Sequence, residues 1–264
     1  MAKYLSICKT SFRQESKTIV NSLTAVVSFV IIIYIFQQLW RYIYTSGSSN
    51  TINGYTHEMM IWYMIMAEVL MYSINARSVT RAFSADIKSG KIAYQLNKPY
   101  NYYLYQIFQQ IGSFIWKMVF LVPCAIIIGL VFVGPIANFS AVYILPMIIC
   151  LMLAVLLSCI IYGCVGLFAF WIEESSPFTW IILKLQMLFG LFFPPEFFPV
   201  WLQPVIIYSP IYAIMSGPCK LVAGFSWELF YGVVISQAFY TLLFGGLGLL
   251  IYKIGTRKVN MNGG

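Results

Sequence analysis

The stretch Ile107–Val133, IFQQIGSFIWKMVFLVPCAIIIGLVFV, carries a single charge, Lys117, in 27 residues and is closed by Gly134 and Pro135. A helix crossing about 30 Å of hydrocarbon needs roughly 20 predominantly apolar residues, so this run reads as a membrane span. The rest of the chain agrees with it. Of 264 residues, 61% are hydrophobic and 9% charged, against about 25% charged in an ordinary soluble domain. Too little charge is present to cover a soluble globule, and the aromatic and aliphatic content excludes disorder.

Working outward, the same criterion predicts spans at Ser22–Tyr44, His57–Asn75, Ile107–Val133, Pro146–Trp171, Phe178–Phe193 and Leu229–Ile254. The run from Phe139 to Trp171 exceeds one span, and Pro146 is read as separating an outer interfacial piece from the fourth helix. Between Pro194 and Ser226 the chain stays apolar but is interrupted by Pro199, Pro204, Pro210, Gly217 and Pro218, which predicts a re-entrant or extracellular hairpin of short helices. Gly245, Gly246 and Gly248 in the last span predict close helix contact there. The fold class is thus all-α integral membrane protein, a single domain of six transmembrane helices preceded by an interfacial lead at 1–21. The first span is read as retained rather than as a signal peptide, since no small-residue cleavage site follows it.

Sixteen Lys and Arg stand against eight Asp and Glu. Twelve of the sixteen fall in the N-terminal lead, the loop at 76–106 and the C-terminal end, so the positive-inside rule places both termini in the cytoplasm. The net charge of +8 is then explained without nucleic acid. The expected location is the cell membrane, multi-pass, in a bacterial plasma membrane.

Several chemistries fail on their spacing. His57-Glu58 begins a zinc-protease motif, but Ile61 stands where its second histidine belongs. Ser89-Gly90-Lys91 echoes the end of a phosphate-binding loop, with Ala85 where that motif needs Gly and Ile92 where it needs Ser or Thr. One histidine and six cysteines, five of them in apolar runs or the basic lead, form neither a zinc site nor a disulfide framework; Cys219 is expected outside and exposed. The sequon Asn138-Phe139-Ser140 hugs the membrane and carries no weight. No metal site and no catalytic residue is predicted.

The lead, Met1–Lys17, places Tyr4, Leu5, Cys8 and Phe12 at helical spacing among basic residues, as an amphipathic helix on the cytoplasmic interface does; a merely solvated start to the first span satisfies the same residues. The loop after the second span holds a helix-competent stretch from Arg77 to Gly90 that exposes charges and an aromatic to the cytoplasm; an ordinary positive-inside loop is the plainer reading. Glu68, Lys117 and Lys184 fall inside spans, where a charge costs about 2.5–3.5 kcal/mol on insertion scales. Each is a candidate for the translocation path, and Glu68, with no long stem to snorkel, is equally a candidate for structural pairing with Lys117 or Lys184. Glu173 and Glu174 form either a contact for a cationic partner or a solvated helix start. Most aromatics, Trp40, Tyr42, Tyr44, Tyr102, Tyr103 and Trp227 among them, read as interface belts.

Phe83, Asp86, Ser89-Gly90-Lys91, Leu96 and Pro99, followed by Gly190, Phe192-Phe193-Pro194, Phe197-Phe198-Pro199, Trp201-Leu202-Gln203 and Ser209-Pro210, resemble the two characteristic segments of the ABC-2 type permease family of ATP-binding-cassette exporters. The doubled proline at Pro194-Pro195 departs from that pattern. The resemblance implies a non-catalytic permease that pairs with a second permease, identical or related, and with separate ATPase subunits that bind ATP and Mg; this chain itself binds no cofactor. It further implies an ATPase-coupling helix over about Arg81–Lys91, with Arg81, Phe83, Asp86, Lys88, Gly90 and Lys91 as its candidate residues. The expected function is export of a hydrophobic or amphipathic substrate: a drug, antibiotic, peptide or lipid. A membrane-embedded lipid-modifying enzyme and a stand-alone secondary carrier are the alternatives. The first lacks a convergent polar site, and the second would show paired broken helices, whereas one interrupted segment is visible.

Overall fold

The computed structural model describes residues 2–17, 19–47, 50–74, 76–136, 139–172 and 174–262. Asn75, Asn138 and Glu173, which bear on the second span, the sequon and the acidic turn, lie outside the described residues. Among the described residues every regular element is a helix, apart from one isolated antiparallel bridge between Ile52 and Tyr55.

The elements are α1 (Ala2–Ser16), α2 (Ile19–Ser46), α3 (His57–Ser73), α4 (Ala76–Lys88), α5 (Lys91–Leu96), α6 (Tyr102–Phe132), α7 (Ile144–Leu167), α8 (Ser176–Gln186), α9 (Gln203–Ile207), α10 (Pro210–Ile214), α11 (Ser216–Ala223) and α12 (Trp227–Asn262). Five helical stretches are long and apolar enough to cross a bilayer: Ser22–Ser46, His57–Lys88, Tyr102–Phe132, Ala141–Phe170 and Trp227–Lys258. The sixth expected span is a shorter apolar helix, Ser176–Phe192, which ends in a π-helical turn at Met187–Phe192.

Local chemistry sets the ends. The Thr56 hydroxyl accepts from the Met59 amide at 3.2 Å to open α3, and the Asn101 side chain accepts from the Leu104 amide at 3.1 Å to open α6. In the broken segment prolines sit in the first turns of the short helices, Pro204 in α9, Pro210 in α10 and Pro218 in α11, where a missing N–H costs nothing. Pro146 behaves in the same way. It lies in the first turn of α7, preceded only by a 3₁₀ turn at Ala141–Tyr143, so the expected outer piece before the fourth span does not form separately.

The core is built around α3, buried from Met60 through Leu70 on every side. A helix apolar all round belongs in the middle of a bundle. It is enclosed by α2, α6, α11 and the π-turn, while α12 packs along α7. The outer faces of α2 and α12 remain apolar and exposed, as at Val27, Ile31, Ile235 and Leu242, the pattern of helices that face lipid rather than water. Of the three glycines in α12, Gly248 receives Tyr103, whereas Gly245 and Gly246 face open space, which corrects the expected contact at all three.

The lead forms α1 but does not merely lie on the surface. It packs along the first half of α6: Tyr4 stacks on Phe108 with ring centres 5.3 Å apart, Phe12 meets Trp116 edge-on, and the Ser11 hydroxyl donates to the Gln109 carbonyl at 2.7 Å. Cys219 is fully buried, contrary to the exposure expected of it, because α11 folds back against α3.

Candidate functional site

In ARSVTRAFSADIK, the residues of α4, the small and apolar side chains recur on one face and the charges on another. Val79, Thr80, Phe83 and Ser84 are buried, and Arg77, Arg81 and Lys88 are exposed. The buried face is fastened to three other helices. Phe83 packs onto α7 at Gly166, where a β-carbon would come within 2.8 Å of Phe83 Cβ, so glycine is what permits the approach. Its ring also meets Tyr102 and Tyr103 of α6, centre to centre at 5.6 and 5.9 Å. Toward α8, the Thr179 hydroxyl donates to Thr80 Oγ1 at 2.9 Å, and the Ser84 and Ser175 hydroxyls share a bond of 2.5 Å. Toward α6, the Tyr102 hydroxyl donates to Asp86 Oδ2 at 2.6 Å and itself accepts from Gln106 Nε2 at 2.8 Å.

The end of α4 is marked by Gly90, whose φ of +72° turns the chain into α5. Such a left-handed residue is cheap only for glycine. Ile92 of α5 is buried, while Ala85, Lys91 and Tyr94 face outward, Tyr94 with Lys98 Nζ 4.9 Å from its ring centre. Lys88 pairs with Glu174 at 2.8 Å. That ammonium, with the hydroxyl and amide of Ser176, holds the Glu174 carboxyl well below the usual range, at about 2. The product is a basic, partly aromatic knob, α4–α5, held rigidly against α6, α7 and α8.

The six residues expected to couple therefore divide. Arg81, Lys88, Gly90 and Lys91 are on the exposed surface, whereas Phe83 is fully buried and Asp86 is turned to Tyr102. The expectation that Phe83 is the exposed aromatic is corrected; that part falls to Tyr94, 70% exposed. Phe83 turns inward because Val79 and Phe83, one turn apart, make the apolar stripe of α4. Ser84, Ser175 and the Thr80–Thr179 pair were not singled out, and only their small size on the buried face could have flagged them.

The three intramembrane charges do not meet. Glu68 is 5% exposed in mid-α3, and its carboxylate has no ion-pair partner among the described residues. The proposed pairing with Lys117 or Lys184 is thus corrected. Lys117 has Glu15 of α1 as its charged neighbour, and Glu15 accepts from the Ser113 hydroxyl at 2.8 Å. Lys184 is exposed on α8, its Nζ 5.5 Å from the centre of the Trp180 ring. At the other end of the bundle, Lys220 and Glu196 form an ion pair to which the Tyr55 hydroxyl donates at 3.1 Å. Burial and the Glu196 carboxylate raise the Tyr55 pKa above its ordinary value. Among the described residues no group of His, Cys, Asp and Glu is placed to hold a metal.

Five apolar stretches of bilayer length, the one that contains α3 enclosed by its neighbours, a shorter sixth and a polar knob at one end define a multi-pass membrane protein. The chain belongs to the family described as ABC-2 family transporter protein, whose profile matches residues 23–263. It is accordingly an ABC transporter permease, of a family whose members are in general non-catalytic and associate with ABC ATPases. No curated protein matches the chain.

Proposed function

We propose that the chain is the transmembrane subunit of an ABC exporter that moves a hydrophobic or amphipathic substrate out of the cytoplasm, and that its ATPase partner docks on the α4–α5 knob. In this reading α8 with its π-turn is the fifth of six spans, and both termini are cytoplasmic. A second permease, identical or related, completes the pore. ATP and Mg are bound by the ATPase, not by this chain. Of the three intramembrane charges this reading keeps Glu68, enclosed in mid-α3, for the translocation path, reached when the helices around α3 tilt apart.

The observation that carries this reading is mechanical: one exposed knob is bonded to three separate helices. Movement of an ATPase against Arg81, Lys91 and Tyr94 is transmitted by Phe83 to α7, by the Thr80–Thr179 and Ser84–Ser175 contacts to α8, and by Asp86–Tyr102 to α6. Helices that tilt together open a cavity alternately to the two sides. Chemistry is supplied by hydrolysis in the partner, and this chain contributes position and hydrophobic lining.

The test is ATP hydrolysis by the complex reconstituted in vesicles. Lys91→Glu with Tyr94→Ala changes exposed side chains alone, so the chain inserts and folds, and the ATPase loses its substrate stimulation and its co-purification. Stimulation equal to that of the unaltered complex refutes the docking assignment.

A further inference from the structure

Arg77 and Arg81 stand one turn apart on the exposed face of α4, and Trp180 and Lys184 one turn apart on α8. The Arg77 guanidinium lies 4.6 Å from the centre of the Trp180 ring and Lys184 Nζ lies 5.5 Å from it, so one indole gathers two cations. Cation–π attraction orders such groups but leaves their charge uncompensated. Among the described residues the ion pairs are Lys88–Glu174 and Lys220–Glu196, and none involves Arg77, Arg81 or Lys184. Glu174, at the foot of α8, is already held by Lys88 and by the Ser176 hydroxyl at 2.5 Å. The groove between the two helices is lined by Arg77, Thr80, Arg81, Ser176, Thr179 and Trp180: two guanidinium groups and an indole stand beside hydroxyls already bonded to one another and to Glu174.

Beyond the indole the exposed surface changes character. Phe178, Ile181 and Leu185 form an exposed apolar stripe on α8 that Leu188 carries into the π-turn. A ligand that satisfies both parts has a compact anionic head and long apolar tails. We propose that the α4–α8 seam binds an anionic phospholipid of the cytoplasmic leaflet, with its phosphate among Arg77, Arg81 and Lys184 and its acyl chains along the α8 stripe. This rests on the reading that α8 enters the membrane from the cytoplasmic side. The bound head group bridges α4 to α8 at the seam already closed by the Thr80–Thr179 and Ser84–Ser175 contacts, so the lipid strengthens one of the three connections between the knob and the spans.

The experiment uses the full chain in a mild detergent, with its thermal unfolding midpoint followed during titration with phosphatidylglycerol, with phosphatidylcholine of the same acyl chains, and with inorganic phosphate. Phosphatidylglycerol stabilises at lower mole fraction than phosphatidylcholine, and inorganic phosphate gives no shift. Each cation near a membrane surface favours anionic lipid by about fivefold. Arg77→Gln and Lys184→Gln each lower the preference by about that factor, Arg77→Lys retains it, and Lys3→Gln with Lys9→Gln on α1 leaves it unchanged. Arg81 is left intact because it also belongs to the docking surface. Equal stabilisation by the two lipids, an undiminished preference in Arg77→Gln and Lys184→Gln, or loss of preference in Arg77→Lys overturns the assignment; an equal shift with inorganic phosphate reduces it to an anion site and overturns the lipid. Trp180 quenching by brominated phosphatidylglycerol, taken as the difference from Trp180→Phe, separates this failure from failure of the topology: without α8 in the membrane, the quenching vanishes for every lipid.

Discussion

The contact between Phe83 and Gly166 yields the most exacting prediction. Phe83 is fully buried, packed on Gly166 and between the rings of Tyr102 and Tyr103. Phe83→Ala therefore costs about 3–5 kcal/mol, the range for emptying a buried phenylalanine site. A β-carbon at Gly166 would lie 2.8, 2.9 and 3.1 Å from Phe83 Cβ, Cδ2 and Cγ. Gly166→Ala thus overpacks the seam at a cost of about 1–3 kcal/mol, offset by about 1 kcal/mol of helix propensity. In the Phe83→Ala background two of those three contacts vanish and α4 is free to draw back from the third. Gly166→Ala then ceases to cost and becomes neutral or slightly favourable. The expected coupling energy is about 1–2 kcal/mol, with the double variant more stable than the sum of the singles. Equilibrium unfolding of the four proteins in mixed micelles measures it. Additivity within about 0.5 kcal/mol refutes the reasoning, since it means the ring and the glycine do not share a seam.

Gly90, at φ +72° with no atom within 4 Å of an added β-carbon, is limited by conformation alone. Gly90→Ala costs about 1–2 kcal/mol, Gly90→Asn less and Gly90→Pro more, a ranking read by thermal unfolding and by proteolysis at the α4–α5 junction; equal stability of the Ala and Gly forms is the contrary outcome. The Glu174 carboxyl, held at about 2 against a usual 4.5 by Lys88 and Ser176, stabilises the fold at pH values above the usual value and loses that effect as the pH falls toward 2. The difference in melting temperature between the unaltered chain and Lys88→Met is accordingly constant near neutrality and shrinks below about pH 4.5; a difference that stays constant down to pH 3 contradicts the pairing.

Much of this was legible in the residues. Length and apolarity fix which segments can span a bilayer, and the five long helices fall where those runs are. Prolines at Pro204, Pro210 and Pro218 announce a string of short helices, because so many prolines so closely spaced interrupt one helix and each is best accommodated in a first turn. Gly90 announces the end of α4 for the matching reason that glycine accepts the left-handed turn. Periodicity also showed that the N-terminal lead has an apolar side.

What periodicity does not carry is the identity of the neighbour. The apolar side of α1 is met by α6, and the apolar side of α4 holds Phe83, a residue expected to take part in coupling. Charges behave likewise. Lys117 finds Glu15, Lys184 finds Trp180 and Glu68 has no ion-pair partner among the described residues, because a side chain reaches only a few ångströms and the spacing of helices, not of residues, decides what lies within that reach. The sequence alone determined that this chain is a multi-pass membrane protein and which of its segments are apolar and long enough to cross a bilayer, since those depend on each segment's own transfer energy. The tertiary structure decided which groups couple the cytoplasmic knob to the spans and which remain free for a ligand, since those depend on approaches between helices distant in the chain.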